Sequence, residues 1–224
     1  MSDNIIVKVA DSSHTVFAEQ ICALIEESAK QRGTGIAKRS PDYIIQKMNE
    51  GKAIIALTKT SQLIGFCYVE TWGHGKFVAN SGLIVNPEFR KGGIATKIKE
   101  KAFELSRQKY PDAKIFGITT SLAVMKINSD LGYRPVTFSE LTDDETFWKG
   151  CSGCVNYDIL NRTNRKHCLC TGMLFDPAEE KSNKKWDFLK NLKIHENWLK
   201  IKQKMLLFRE REKDEKKNSD KVLV

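Results

Sequence analysis

"LIVNPEFRKGGIAT", residues 83–96, is an apolar run that stops at Asn86-Pro87, followed by a basic pair, two glycines and the start of an amphipathic stretch. The pattern predicts a strand, a tight turn and a helix. Such a junction aims several backbone N–H groups at one point, where the helix dipole adds partial positive charge. Gly92 and Gly93 remove side chains, so an anion can come close to the backbone. Arg90 and Lys91 add full charges, and the whole has the makings of a pyrophosphate cradle. It is not a Walker loop, because no Gly-Lys-Ser/Thr closes it, and G-x-G-x-x-G is absent. The glycine pair alone is equally accounted for by a tight turn with incidental charges. Its surroundings decide.

Upstream, "IIVKVA" (5–10) predicts a short first strand. Phe17, Ile21, Leu24, Ile25 and Ala29 recur at helical spacing through 15–30. Ser40 and Pro41 form an N-cap and first-turn proline for a second helix that ends near Gly51. "AIIALT" (53–58), "LIGFCYVETW" (63–72) and "FVANSGLIV" (77–85) predict three strands joined by polar turns. Downstream, Ile94, Ile98, Ala102 and Leu105 share one helix face, and Pro111 ends that helix. "KIFGITT" (114–120), "SLAVMKINSDLG" (121–132) and "YRPVTF" (133–138) predict a strand, a short helix and a strand. "CLCTGMLFD" (168–176) predicts the last strand.

The chain has 224 residues, 41% hydrophobic composition and a net charge of +9. That length buries a real core, and the charge favours anionic partners. From Ala178 onward fourteen Lys/Arg face nine Asp/Glu, so about half the excess lies in the tail. No apolar run reaches the roughly 20 residues of a membrane span. The start, "MSDNIIVKVADSSHT", lacks a signal-peptide layout, which makes the cytoplasm the expected location.

Arg90-Lys91-Gly92-Gly93-Ile94-Ala95, behind an apolar strand and Val85-x-Pro87, resembles the R/Q-x-x-G-x-G/A signature of the GNAT acyltransferase superfamily. The element order over 5–138 matches as well. The resemblance implies an α/β (α+β) fold, a mixed central sheet flanked by helices. It also implies acetyl-CoA, or a related acyl-CoA, as co-substrate. Leu83, Ile84 and Val85 would pair with the pantetheine arm, and Arg90, Lys91, Gly92, Gly93, Ile94, Ala95 and Thr96 would hold the phosphates. The expected division is a GNAT core over 1–138, a Cys-rich insertion and final strand over 139–177 completing the same domain, and a charged helical extension over 178–224.

"IAKRSPDYIIQKM" (36–48), "IFGITTSLAVMKINSDLGYRPV" (115–136) and "ELTDDETFWKGCSGC" resemble segments of short, stand-alone N-acetylglutamate synthase-type members. The resemblance implies transfer to the α-amine of a small acidic amino acid, glutamate first. An arginine can grip such a carboxylate bidentately. Arg39 is the candidate, with Lys38 as auxiliary charge and Ser40, Thr119 and Thr120 as hydroxyl donors. A capped helix start and a strand end explain Arg39-Ser40 and Thr119-Thr120 equally well.

Transfer needs a neutral amine aligned on the thioester carbonyl. Many family members place a tyrosine acid about five residues before a Gly-aromatic pair. Here Asn128 stands at that place before Gly132-Tyr133, which leaves the acid open among Ser121, Ser129 and Tyr133. Glu70 and His74 are the candidate bases, His74 reading more simply as a turn residue.

Cys22 and Cys67 fall on apolar faces. Cys151, Cys154, Cys168 and Cys170 form C-x2-C-x13-C-x-C, a pattern open to structural zinc, to buried thiols or to a redox pair. His167 could replace one ligand, and Arg162, Arg165 and Lys166 are candidate walls of the acceptor pocket. In the tail, Ile194, Trp198, Ile201, Met205 and Phe208 are spaced 4-3-4-3, a coiled-coil-like seam. It packs on the domain or pairs with a second copy, a homodimer being the slight preference. Interleaved acids argue against nucleic acid as its partner. Two rivals remain: a GNAT enzyme acting on a polyamine, protein lysine or N-terminus, and a non-catalytic CoA- or nucleic-acid-binding module.

Overall fold

The computed structural model describes residues 5–32 and 39–180. Met1–Pro177 forms one compact unit, and a second unit begins at Ala178. Lys38 and the seam of the tail lie outside the described residues. Among the described residues no helix is long and apolar enough to cross a membrane.

Seven strands form one sheet in the order β1-β2-β3-β4-β5-β7-β6. They are β1 (Ile5–Val9), β2 (Ala53–Thr58), β3 (Leu63–Trp72), β4 (Phe77–Val85), β5 (Lys114–Thr119), β6 (Arg134–Val136) and β7 (Thr171–Phe175). Helices α1 (Ala18–Arg32) and α2 (Pro41–Asn49) precede β2, and α3 (Ile94–Lys109) connects β4 to β5. Helices α4 (Leu122–Asp130), α5 (Glu145–Lys149) and α6 (Tyr157–Arg162) follow β5. The strands β1 to β4 pair antiparallel, β4 and β5 parallel, and β7 runs antiparallel between β5 and β6. This is the α/β GNAT fold that the element order implies.

The near-continuous apolar runs of β2 and β3 follow from coverage on both faces. Ile54, Ala56, Ile64, Cys67 and Val69 pack with Ile94, Ile98 and Ala102 of α3. Ile55, Leu57, Leu63, Phe66 and Tyr68 alternate to the opposite face, against Ile21, Ile25, Ile44 and Met48 of α1 and α2. A third cluster, with Phe116, Phe138, Trp148, Leu160 and Leu174, covers the far half of the sheet. The segment 139–170 supplies part of that cover, in two short helices with aromatic anchors. Ser40 caps α2 by accepting the Tyr43 N–H, and Pro41 opens it. β6 is shorter than its apolar run suggests and sits at the sheet edge, as a strand holding Pro135 must.

Two features of β4 place the site. Its pairing with β5 stops after Ala79 and Phe116, so the two strands splay beyond that point. In addition, Phe66 opposes Ile84 while Tyr68 opposes Ser81, leaving Gly82 and Leu83 opposite Cys67 as a β-bulge. Gly82 has φ of 65°, and a Cβ there would stand 2.3 Å from Tyr68 Cε1. Only glycine satisfies both demands.

Candidate active site

The splay leaves the β5-facing edge of Asn80–Val85 without a strand partner. Two cavities open along it. One, of about 310 Å³, lies at the start of α3; the other, of about 550 Å³, lies on the opposite side, and the two share Leu83 and Val124.

The smaller cavity joins the glycine turn to apolar residues of β4 and α4. Arg90, Lys91, Gly93, Ile94 and Ala95 line it, together with Val85 and the start of α4. Lys91 and Gly93 adopt positive φ, 71° and 72°, and curl the turn around its amides. The first helical bond is Lys97 N–H to Gly93 O, so the amides of Ile94, Ala95 and Thr96 are the orphan donors of a helix start. The amides from Lys91 to Thr96 have no acceptor among the described residues. A Cβ on Gly93 would meet nothing within 4 Å and would instead project into open space. The turn fits a diphosphate.

Two expectations about this loop need correction. The Arg90 amide is engaged by Pro87 O at 3.3 Å. Its guanidinium turns back to Val85 O (Nε, 3.2 Å) and Ser28 Oγ (Nη2, 3.3 Å), stapling the loop to α1. The Ile84 side chain is buried against α1 and α2, which is compatible with the backbone role expected of it. Gly92 and Thr96 do not line the cavity.

The larger cavity is built from side chains of distant segments. Arg39, Ser40 and Tyr43 come from the start of α2, Tyr68 and Glu70 from β3, and Thr119 and Thr120 from the end of β5. Arg39 Nε donates to Tyr68 Oη at 2.7 Å, and its guanidinium stands over the Tyr43 and Tyr68 rings at 5.3 and 5.8 Å. Tyr43 Oη donates to Glu70 Oε1. Glu70 is 6% exposed. Burial pushes its carboxyl above the usual range, and Arg39 and Ser81 only partly offset this. A carboxylate raised in this way is a better proton acceptor at neutral pH. Thr119 Oγ1 accepts the Ser121 N–H at 3.1 Å, so part of its hydroxyl capacity serves the turn.

The remaining sequence candidates separate cleanly. Asn128 lines the larger cavity, 1% exposed, with Oδ1 unpartnered. Ser129 is exposed and lines neither cavity, which removes it as an acid. Tyr133 is buried and donates to Asn80 Oδ1 at 3.1 Å; burial pushes its phenol well up. Ser121 caps α4 and lines the smaller cavity. His74, with φ of 55°, is an exposed residue of the turn between β3 and β4.

Cys151, Cys154, Cys168 and Cys170 all reach the larger cavity. Among the described residues, however, no group of three or more His, Cys, Asp or Glu could hold a metal, so the zinc expectation finds no support. Burial and the neighbouring sulfurs push the Cys151 thiol up to about 11 and Cys170 to about 12. Arg162, Arg165 and Lys166 do not line the cavity; Arg165 instead forms a bidentate pair with Glu145 at 2.6 Å. Sequence reasoning missed Tyr43, Tyr68, Asn80 and Lys99, all in or beside this cavity. Lys99 had a signal: it adjoins the Ile98–Ala102 stripe and so sits on the flank of the buried face.

Residues 21–123 match the model of the acetyltransferase (GNAT) family. No curated protein matches the sequence. Among solved structures, N-acetylglutamate synthase from Neisseria gonorrhoeae, complexed with coenzyme A and N-acetyl-glutamate, is similar at a TM-score of 0.56 and 17% identity. The match covers 79% of this chain and 36% of the Neisseria chain, so this chain spans about a third of that enzyme's length. A Mycobacterium tuberculosis protein in complex with CoA matches at TM-score 0.55 and 14% identity, over 76% of this chain and 98% of its own. Phosphinothricin acetyltransferase from Sinorhizobium meliloti, in complex with AcCoA, matches at 0.53 and 12%, over 77% and 88%. Identities this low speak to fold.

Proposed function

We propose that the chain, whose residues 21–123 match the GNAT acetyltransferase family, is an N-acyltransferase that moves an acyl group from acyl-CoA to the α-amine of a small acidic amino acid, glutamate first. One observation carries the acceptor reading. Arg39, Ser40, Thr119 and Thr120, picked from two separate stretches for their carboxylate-binding chemistry, line one cavity across the splay from the glycine turn. That cavity also holds a buried carboxylate, Glu70, a group suited to take a proton from an incoming ammonium.

On this reading the glycine turn holds the donor's diphosphate, and the open edge of β4 pairs with its pantetheine arm. The thioester then lies near Leu83 and Val124, where the cavities join. Arg39 binds the acceptor carboxylate, its plane fixed by Tyr43 and Tyr68. Glu70 takes the ammonium proton, and the neutral amine attacks the carbonyl carbon. An unpaired N–H of β4 stabilises the developing oxyanion. The domain division at 138 and 177 is part of the same proposal: segment 139–170 walls the acceptor side of a GNAT core.

The test is thiol release from acetyl-CoA with a panel of amino acids, polyamines and peptides. Glutamate-dependent release is the expected outcome. Release with polyamines or peptides alone would replace the acceptor and keep the enzyme class.

A further inference from the structure

The larger cavity holds a cation that the chemistry above leaves unused. Lys99 of α3 is 2% exposed and lines the larger cavity. Its Nζ donates to Asn80 Oδ1 at 3.1 Å and stands 5.0 Å from the centre of the Tyr133 ring. Asn80 Nδ2 in turn donates to Ser106 Oγ at 2.7 Å, which fixes the amide so that its oxygen faces the lysine. Among the described residues no carboxylate pairs with Lys99. A buried charge with only neutral neighbours is costly to keep. Such a residue makes sense where an anion arrives during function.

Three anions enter this site on the reading given above. The diphosphate has the glycine turn, and the acceptor carboxylate has Arg39. The third, the coenzyme's sulfur as it departs, forms near Leu83 and Val124 and has no partner. The place where many family members carry a tyrosine acid is Asn128, which lines the same cavity and whose buried Oδ1 has no hydrogen-bond partner among the described residues. An amide cannot donate the proton that the thiolate needs.

We propose that Lys99 protonates the thiolate of coenzyme A as it leaves, in place of the absent tyrosine. This inference rests on the acyl-transfer reading. The acceptor nitrogen bonds to the thioester carbon, the C–S bond breaks with its electron pair on sulfur, and sulfur takes a proton from Nζ. The ammonium has already lost one proton through Glu70 to solvent. As the C–S bond breaks, the nitrogen gives up a second to Glu70, which matches the one that Nζ gives to sulfur, so the turnover releases one proton in all. The products are the amide and the free thiol.

Burial lowers the Lys99 ammonium pKa to about 8. The groups facing it are the Cys67 thiol of β3, itself pushed up to about 11, the Tyr133 phenol, and neutral Asn80 and Ser106. Arg39, Tyr43, Tyr68 and Glu70 share the cavity. The acid form is present below the lowered value, so its contribution to rate is full there and lost as pH rises through about 8.

The experiment compares the full chain with Lys99→Met. General-acid loss lowers kcat by about a hundredfold or more, with acyl-CoA KM little changed and the alkaline limb near 8 gone. The deficit shrinks with an acetyl thiophenyl ester, whose leaving thiolate needs no proton. An equal deficit with both donors, or an unchanged kcat, overturns the proposal. A second readout needs no acceptor. Thiolate absorbance of bound coenzyme A shows its thiol titrating below that of free coenzyme A in the wild type but not in Lys99→Met. No such difference in the wild type overturns the proposal even if Lys99→Met fails to fold. Glutamate-independent behaviour in the amine panel, with the thiol shift intact, would sink only the acceptor reading.

Discussion

The two cavities that meet at Leu83 and Val124 are built on opposite plans. The donor side is one contiguous turn whose working groups are backbone amides, exposed because side chains were deleted. The acceptor side gathers Arg39, Tyr43, Tyr68, Glu70 and Thr119 from three separate elements and works through side chains. A site of amides recognises an anion of fixed shape, and any sequence that bends the same way will do. A site of side chains can be re-specified one residue at a time. The contrast suits one shared donor and many possible acceptors.

The hardest blow to that contrast comes from Gly93→Val. A β-branched residue is strained at φ of 72°, and its side chain would occupy the anion's seat. Acyl-CoA KM is expected to rise by about a hundredfold, equivalent to about 2.7 kcal/mol, with acceptor KM unmoved. Steady-state kinetics with each substrate varied gives the answer, and a rise in both constants would mean that the two sides are not separable.

Glu70→Gln comes next, on the acceptor side. Its carboxyl is raised by burial, so the active carboxylate form is lost as pH falls through a value above the usual one. The substitution removes that acid limb and lowers kcat by about ten- to a hundredfold. A pH–rate profile retaining the limb would assign it to the acceptor amine. Arg39→Ala should raise acceptor KM about tenfold or more, leaving coenzyme A affinity by calorimetry unchanged. The smallest effect belongs to Arg165→Ala. Its bidentate partner Glu145 is exposed, and it lines neither cavity. Melting temperature and both KM values should stay within error; a raised acceptor KM would restore Arg165 to the pocket wall.

The same contrast explains what the sequence made legible. Strand order from β1 to β4, the Ser40-Pro41 helix start and the amide turn all follow from local pattern and chemistry. The turn was readable because glycine count and helix start lie within seven residues. What failed was long-range. Arg90 reads as a phosphate ligand until Ser28, on another helix, takes its guanidinium. The late cysteines have knuckle spacing, yet Cys151, Cys168 and Cys170 pack against the cluster of Phe138 and Trp148. Lys99 adjoins the Ile98–Ala102 stripe, which signals its burial, but its place on a cavity follows from the sheet and not from the helix pattern. Cys67, by contrast, was legible as a core thiol from its apolar strand.

The most direct measurement follows the backbone amides of the full, nitrogen-15-labelled chain during titration with coenzyme A. The resonances of Lys91, Gly93, Ile94 and Ala95 should move downfield together and saturate at one stoichiometric equivalent, and adenosine 3′-phosphate 5′-diphosphate, the fragment that carries the diphosphate, should reproduce the shift. If those four stay fixed while coenzyme A binds and perturbs amides elsewhere, the turn is not where the donor's phosphates sit.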